Sequence, residues 1–210
     1  LNPLHTAMSV NGCLLGYTSI AAEMGDADLK ALVEHIAAES LPVVEDPGIL
    51  SPRAFIDEVL HERFPNPAIP DTPQRIAADT SQKLPVRYGG TLRRYARQSE
   101  QALAGLEFAP LVFAGWCRYL LGVDDRGNAM PVSPDPMLPQ LQAHLKGIEV
   151  GRPDSLAGQL RPILSNAALF GVDLYAAGLG ERTEEMFRDM LAGPGAVRAT
   201  LHRNCACKQP

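Results

Sequence analysis

Apolar residues recur every three or four positions along most of this chain, the spacing that gathers side chains on one face of a helix. From Asp26 onward, Leu29, Leu32, Val33, Ile36 and Ala37 form the clearest such face, with Asp26 placed to act as N-cap. Ser51 and Pro52 supply a cap and a first-turn proline, and the stripe Phe55, Ile56, Val59, Leu60 and Phe64 runs on until Pro65 ends it. The same signature opens a segment at Thr72 and Pro73 that should close before Pro85, and another at Asp135 and Pro136 carrying Leu138, Leu141 and Leu145. Residues 110–121, PLVFAGWCRYLL, are apolar almost all round and predict a helix buried at the centre. Residues 122–136 are dense in turn formers and predict a loop. Residues 183–191 show Met186, Phe187, Met190 and Leu191 at helical spacing before Gly193, Pro194 and Gly195 break the chain ahead of a last short helix through Leu201. β-rich stretches such as residues 41–44 are too short and isolated to build a sheet. With no internal repeat, the expected architecture is one all-α domain spanning residues 1–210.

Composition narrows the function classes. Two hundred and ten residues can bury roughly 70% of the unfolded surface, and 46% hydrophobic with 20% charged residues is ordinary globular usage. A formal charge of −5 argues against nucleic acid as a partner. No apolar run approaches the ~18 residues a membrane span needs, and the first residues lack the basic-then-apolar layout of a signal peptide, so the expected location is the cytoplasm, with no membrane partner. The four cysteines form no disulfide framework: Cys13 and Cys117 read as small core residues with reduced thiols. Cys205 and Cys207, with His202, offer three soft ligands where structural zinc takes four, so a frayed tail is expected and no metal. The chain opens on Leu1 with a helical pattern already running, as would a domain cut from a longer protein.

The chemistry legible from spacing is sparse. There is neither a GxGxxG nor a GxxxxGK[ST] motif, hence no cofactor-binding residue to name. Asn2 and His5 are three apart and share a helical face, where both could address one polar ligand; spacing alone favours Asn2 as an N-cap before Pro3. Arg75, Asp79 and Lys83 stand at successive four-residue steps, either as a solvated face laced by ion pairs or as cations lining a cleft that holds hydroxyls or a carboxylate.

Three blocks taken in order, LNPLHTAM, NPAIPDTPQRIAADTSQKLPVR and WCRYLLGVDDRGNAMPVSPDP, resemble the C-terminal domain of the mannitol dehydrogenase family, the polyol-specific long-chain group that includes mannitol 2-dehydrogenase, fructuronate reductase and tagaturonate reductase. The similarity continues through FGVDLYAAGLGERTEEMFRDMLAGPG. The resemblance implies a metal-independent NAD- or NADP-dependent oxidoreductase that interconverts a sugar alcohol or sugar acid with its keto form. Its cofactor would sit mainly on an N-terminal Rossmann domain of the same polypeptide, absent from this chain. It also implies catalytic roles for Asn2 and His5, which match an N-x-x-H motif holding the reacting oxygen, and substrate contacts for Arg75 and Lys83. The general base, a Lys expected five residues before Asn2, lies outside the sequence, so the isolated chain should not turn over. The alternative is a stand-alone helical binding or interaction module without catalysis.

Overall fold

The structure, a computed structural model, describes residues 2–46 and 48–205. It is all-α: among the described residues the only β pairings are the isolated bridges Val123 with Ala129 and Glu149 with Arg152. In chain order the helices are α1 (Asn2–Leu15), α2 (Ile20–Glu23), α3 (Ala27–Ser40), α4 (Pro52–Glu58), α5 (Pro73–Ala77), α6 (Thr80–Arg87) and α7 (Gly89–Gln98). They continue as α8 (Glu100–Ala104), α9 (Phe108–Tyr119), α10 (Leu138–His144), α11 (Arg161–Leu164), α12 (Ala167–Phe170), α13 (Gly180–Met190) and α14 (Ala196–Cys205).

Every residue of α9 is buried, as its all-round apolar sequence requires, and α1, α3 and α13 pack against it. Phe113 lies 4.9 Å and Trp116 5.9 Å from the Phe170 ring, so α12 closes one side of that helix. Gly115 lets α1 come close, since a Cβ there would meet Asn11 Oδ1 at 2.5 Å. The first turn of α9 is capped from a distance: Glu39, in the last turn of α3, accepts from the backbone N–H groups of Glu107, Phe108 and Ala109 at 2.6–3.0 Å. A carboxylate at that end also matches the helix dipole.

The caps foreseen at Asp26 and Ser51 form. Asp26 accepts from Asp28 N and Leu29 N, and Ser51 Oγ accepts from Ala54 N. Residues 122–136 are a loop, but a tethered one. Asp125 donates its N–H to Leu14 O at the end of α1 and accepts from Val197 N at the start of α14.

Other expectations need correction. The segment from Pro73 does not run to Pro85 as one helix; it breaks at Ala78 and Asp79, and α6 then passes through Pro85, giving up one ladder hydrogen bond. The break is set by tertiary structure: Asp79 takes a left-handed conformation (φ 53°) and donates its N–H to Pro134 O at 2.8 Å. The next helix starts later than expected. Asp135 accepts from Ser81 N and Oγ and also from Met137 N, in the turn that leads into α10 at Leu138. Residues 41–43 form a 3-10 turn rather than anything extended, and α7 and α8 had no counterpart in the periodic reading. At the C-terminus α14 runs to Cys205, whose side chain is buried, so that residue is no frayed tail; Cys207 lies outside the described residues.

Candidate functional site

The first turn of α1 is held from two sides. Tyr88 Oη donates to Pro3 O at 2.8 Å, and Arg87 donates to Thr6 Oγ1 at 2.8 Å, so the end of α6 fixes the direction in which α1 starts. On that turn Asn2 is exposed and is itself helical rather than a cap preceding the helix. Its side-chain amide makes no hydrogen bond among the described residues. His5, one turn further on, is half-buried, with its ring 4.5 Å from that of Phe64 and tilted by 35°.

Phe64 reaches His5 because α4 does not end as a regular helix. It runs into a π-type turn, Val59–Arg63, closed by the bond from Phe64 N to Val59 O at 2.9 Å. Such turns insert one residue into a helix and swing the residues beyond the insertion by about 100° around the axis. Between His5 and this turn lies a cavity of about 70 Å³, whose lining includes Ile20, Arg63, Phe64, Asn66 and Asp71.

Burial pushes the His5 imidazole down to about 4; Asp71 pulls the other way, while Arg87 and Arg75 add to the effect of burial. At neutral pH the ring is therefore uncharged, with one N–H donor and one lone-pair acceptor, and neither nitrogen has a hydrogen-bond partner among the described residues. A neutral, unpartnered imidazole beside a small cavity can donate to a carbonyl oxygen, and can either donate to or accept from a hydroxyl.

The two cations singled out in the sequence do not share one helical stripe, because the break at Ala78 and Asp79 separates them. Arg75 pairs with Asp71, which also lines the His5 cavity, and so joins the site through that carboxylate. Lys83 is turned onto the broken end of α5, where its Nζ donates to Ile76 O at 2.9 Å and Ala78 O at 2.5 Å. One of its three hydrogens remains for a ligand. Burial, with the positive charges of Arg87 and Arg75, holds this ammonium below the usual lysine range against the opposing pull of Asp79 and Asp135. Arg75 thus interacts electrostatically with both His5 and Lys83, no direct interaction of Lys83 with His5 is present among the described residues, and Asn2 is exposed at the start of α1. Arg87, Tyr88 and Arg63 were not singled out in the sequence, and Phe64 only as the end of an apolar stripe. Arg87 ends the TSQKLPVR stretch and Tyr88 follows it, at the i+4 and i+5 positions after Lys83, which is the one signal that could have found them.

Among the described residues no group of three His, Cys, Asp or Glu side chains gathers to hold a metal; His202 instead sets its Nδ1 2.9 Å from Asp28 Oδ1. Cys13 and Cys117 are buried free thiols, both pushed up to about 12, chiefly by burial.

The family model for the mannitol dehydrogenase C-terminal domain matches residues 1–185. The chain belongs to the mannitol dehydrogenase family. Within it, the chain is 54% identical over 201 residues to the D-mannonate oxidoreductase of Thermotoga maritima, covering 96% of this chain and 37% of that protein. It is 36% identical over 183 residues to the mannitol 2-dehydrogenase of Emericella nidulans, covering 83% and 32%. Its fold matches the mannitol 2-dehydrogenase of Pseudomonas fluorescens, solved as a ternary complex with NAD and D-mannitol, with a TM-score of 0.81 at 26% identity, over 100% of this chain and 39% of that one. The chain thus spans less than two fifths of the length of these relatives, and it corresponds to their helical C-terminal domain.

Proposed function

We propose that this chain, as one domain over residues 1–210, forms the substrate-binding part of an NAD- or NADP-dependent oxidoreductase that interconverts a sugar alcohol or sugar acid with its keto form: mannitol and fructose, mannonate and fructuronate, or altronate and tagaturonate. The observation that carries this reading is His5, neutral and unpartnered beside a small cavity, one turn from Asn2, with the cation Arg75 held on the cavity's Asp71. A developing alkoxide needs donors already aimed at it, and the Asn2 amide with the His5 N–H supplies two. Arg75 and Lys83 would hold hydroxyl or carboxylate oxygens further along the open chain and so orient it.

The described residues contain no glycine-rich helix start fit to cradle a dinucleotide, so the cofactor is assigned to a Rossmann domain in the part of the relatives that this chain does not span. When bound there, the nicotinamide would supply the hydride acceptor, and the general-base lysine is likewise assigned to the part of the relatives that this chain does not span. A groove of about 480 Å³ running from Pro3 and Leu4 to Leu50 and Phe55 offers an apolar face for such a domain to cover. No helix among the described residues is long and apolar enough to cross a membrane. An enzyme drawing on dissolved NAD(P) and small sugar acids fits the cytoplasm, and the net charge of −5 makes nucleic acid a poor partner.

The test is a chimera in which this chain replaces the matched C-terminal part of the Thermotoga protein. It should reduce NAD or NADP with a sugar acid or sugar alcohol, and His5→Ala should lower kcat by about 10²–10³-fold while the fold is retained. Near-normal turnover in that variant would remove His5 from the chemistry. A folded but inactive chimera would favour the helical binding module.

A further inference from the structure

The cavity beside His5 carries more donor capacity than the protein uses. Arg63, the last residue of the π-type turn, lines it and makes no ion pair or side-chain hydrogen bond among the described residues. Asn66 lines it as well; its Oδ1 accepts from Ala68 N at 2.9 Å, which fixes the amide plane and leaves the NH₂ group over. Asp71 is the acidic group on the cavity wall, and it is already neutralised by Arg75. One whole positive charge and an amide donor therefore line a space of about 70 Å³ without a bond to the protein among the described residues, while the Asp71 carboxylate on the same wall is held by Arg75. That space admits a terminal group rather than a whole six-carbon chain, since pockets that enclose entire ligands run to about 300–1,000 Å³.

A planar guanidinium matches a carboxylate in two parallel hydrogen bonds, which a lone hydroxyl cannot reproduce. The cavity's apolar wall, Phe64 and Ile20, excludes water from one side of such a pair and strengthens it. The arginine foreseen for substrate contact, Arg75, is by contrast engaged with Asp71 and mostly exposed.

We propose that Arg63, seconded by Asn66, is the carboxylate anchor that makes this site select a linear sugar acid over the sugar alcohol of the same length. The proposal rests on the oxidoreductase reading above and deepens it. The π-type turn is then a specificity device, because it sets Phe64 against the His5 ring and Arg63 beside the same space.

The experiment titrates the isotopically labelled 210-residue chain with D-mannonate and with D-mannitol at low ionic strength, following shifts at His5 and at the Arg63 guanidinium by NMR. The acid should bind roughly 10- to 100-fold more tightly than the alcohol. Arg63→Ala should abolish that preference, lowering the mannonate affinity by at least 10-fold more than the mannitol affinity, with Arg63→Lys recovering part of it. Because Arg63 is exposed and unpaired, neither variant should disturb the fold, which circular dichroism checks. No preference in the wild type, no saturable binding of either compound, or a preference that survives Arg63→Ala would overturn the proposal. The chimera separates the two readings. Turnover with an acid-to-alcohol kcat/KM ratio unmoved by Arg63→Ala defeats the anchor alone. Absence of turnover with an Arg63-dependent acid preference in the titration defeats the oxidoreductase reading and leaves the anchor standing.

Discussion

Glu23 is a carboxyl group buried without a partner. It ends the one-turn helix α2, its relative exposure is 0%, and neither carboxyl oxygen has a hydrogen-bond partner. The group rests directly on the α1 backbone, since a Cβ on Gly12 would lie 1.8 Å from Oε1. Burial, and secondarily the charge of Asp26, raises its pKa from 4.5 to about 9. The native state therefore keeps a proton that the unfolded chain gives up above pH 4.5. Stability from this group is complete below 4.5, falls as pH rises from there toward 9, and is gone above it. The slope in that window is about 1.4 kcal/mol per pH unit. Glu23→Met keeps an unbranched side chain of similar length and removes the ionisable group. Urea denaturation of both proteins at about pH 5.5 and about pH 8.0 isolates the effect, because the histidines and other groups titrate alike in each and cancel in the difference. The stability advantage of Glu23→Met should grow by about 3–4 kcal/mol between those two pH values. An advantage that stays flat with pH would show that Glu23 is ionised in the native protein, and the packing argument against Gly12 would fail with it.

Two single contacts give further expected outcomes. Glu39→Ala strips three N–H groups at the start of α9 of their acceptor and should cost about 1–2 kcal/mol in urea denaturation, with Glu39→Gln recovering part; an unchanged midpoint would mean water replaces the cap without loss. Phe64→Ala removes the ring that covers His5, so an NMR titration should find the imidazole moving from about 4 back toward 6.5, together with a stability loss of about 3–5 kcal/mol. A His5 that still titrates near 4 in that variant would place the cause of its low pKa elsewhere than in this contact.

Where an element's sequence and its surroundings agree, it could be read directly. Helix α9 is apolar all round because it is buried all round, and α3 begins at Asp26 because that side chain caps it. Helix α7 could not be read this way. In GGTLRRYARQ only Gly89 and Leu92 are buried, so there is no stripe to count, and the helix is held by neighbours rather than by an apolar face. The break at Asp79 was invisible for a related reason: what stabilises the left-handed residue is Pro134, fifty-five positions away.

The site divides along the same line. Spacing put Asn2 and His5 on one helical face, which the structure shows, but it favoured capping as the use of Asn2; resemblance to a family, not periodicity, gave the pair a chemical role. The stripe from Phe55 to Phe64 buries Phe64 whether the turn beneath it is α or π, so apolar periodicity cannot register the inserted residue that brings Arg63 to the His5 cavity. Which turn forms depends on what Phe64 packs against, and that is His5, fifty-nine positions earlier on α1. A cation with no partner is silent in a sequence, because an unpaired arginine and one held by a carboxylate are the same letter. Arg75 drew attention by its four-residue steps and proves to be engaged with Asp71, while Arg63 had no pattern and remains unengaged. Residues available to bind a ligand are those the fold leaves unsatisfied, and only the three-dimensional hydrogen-bond pattern can identify them.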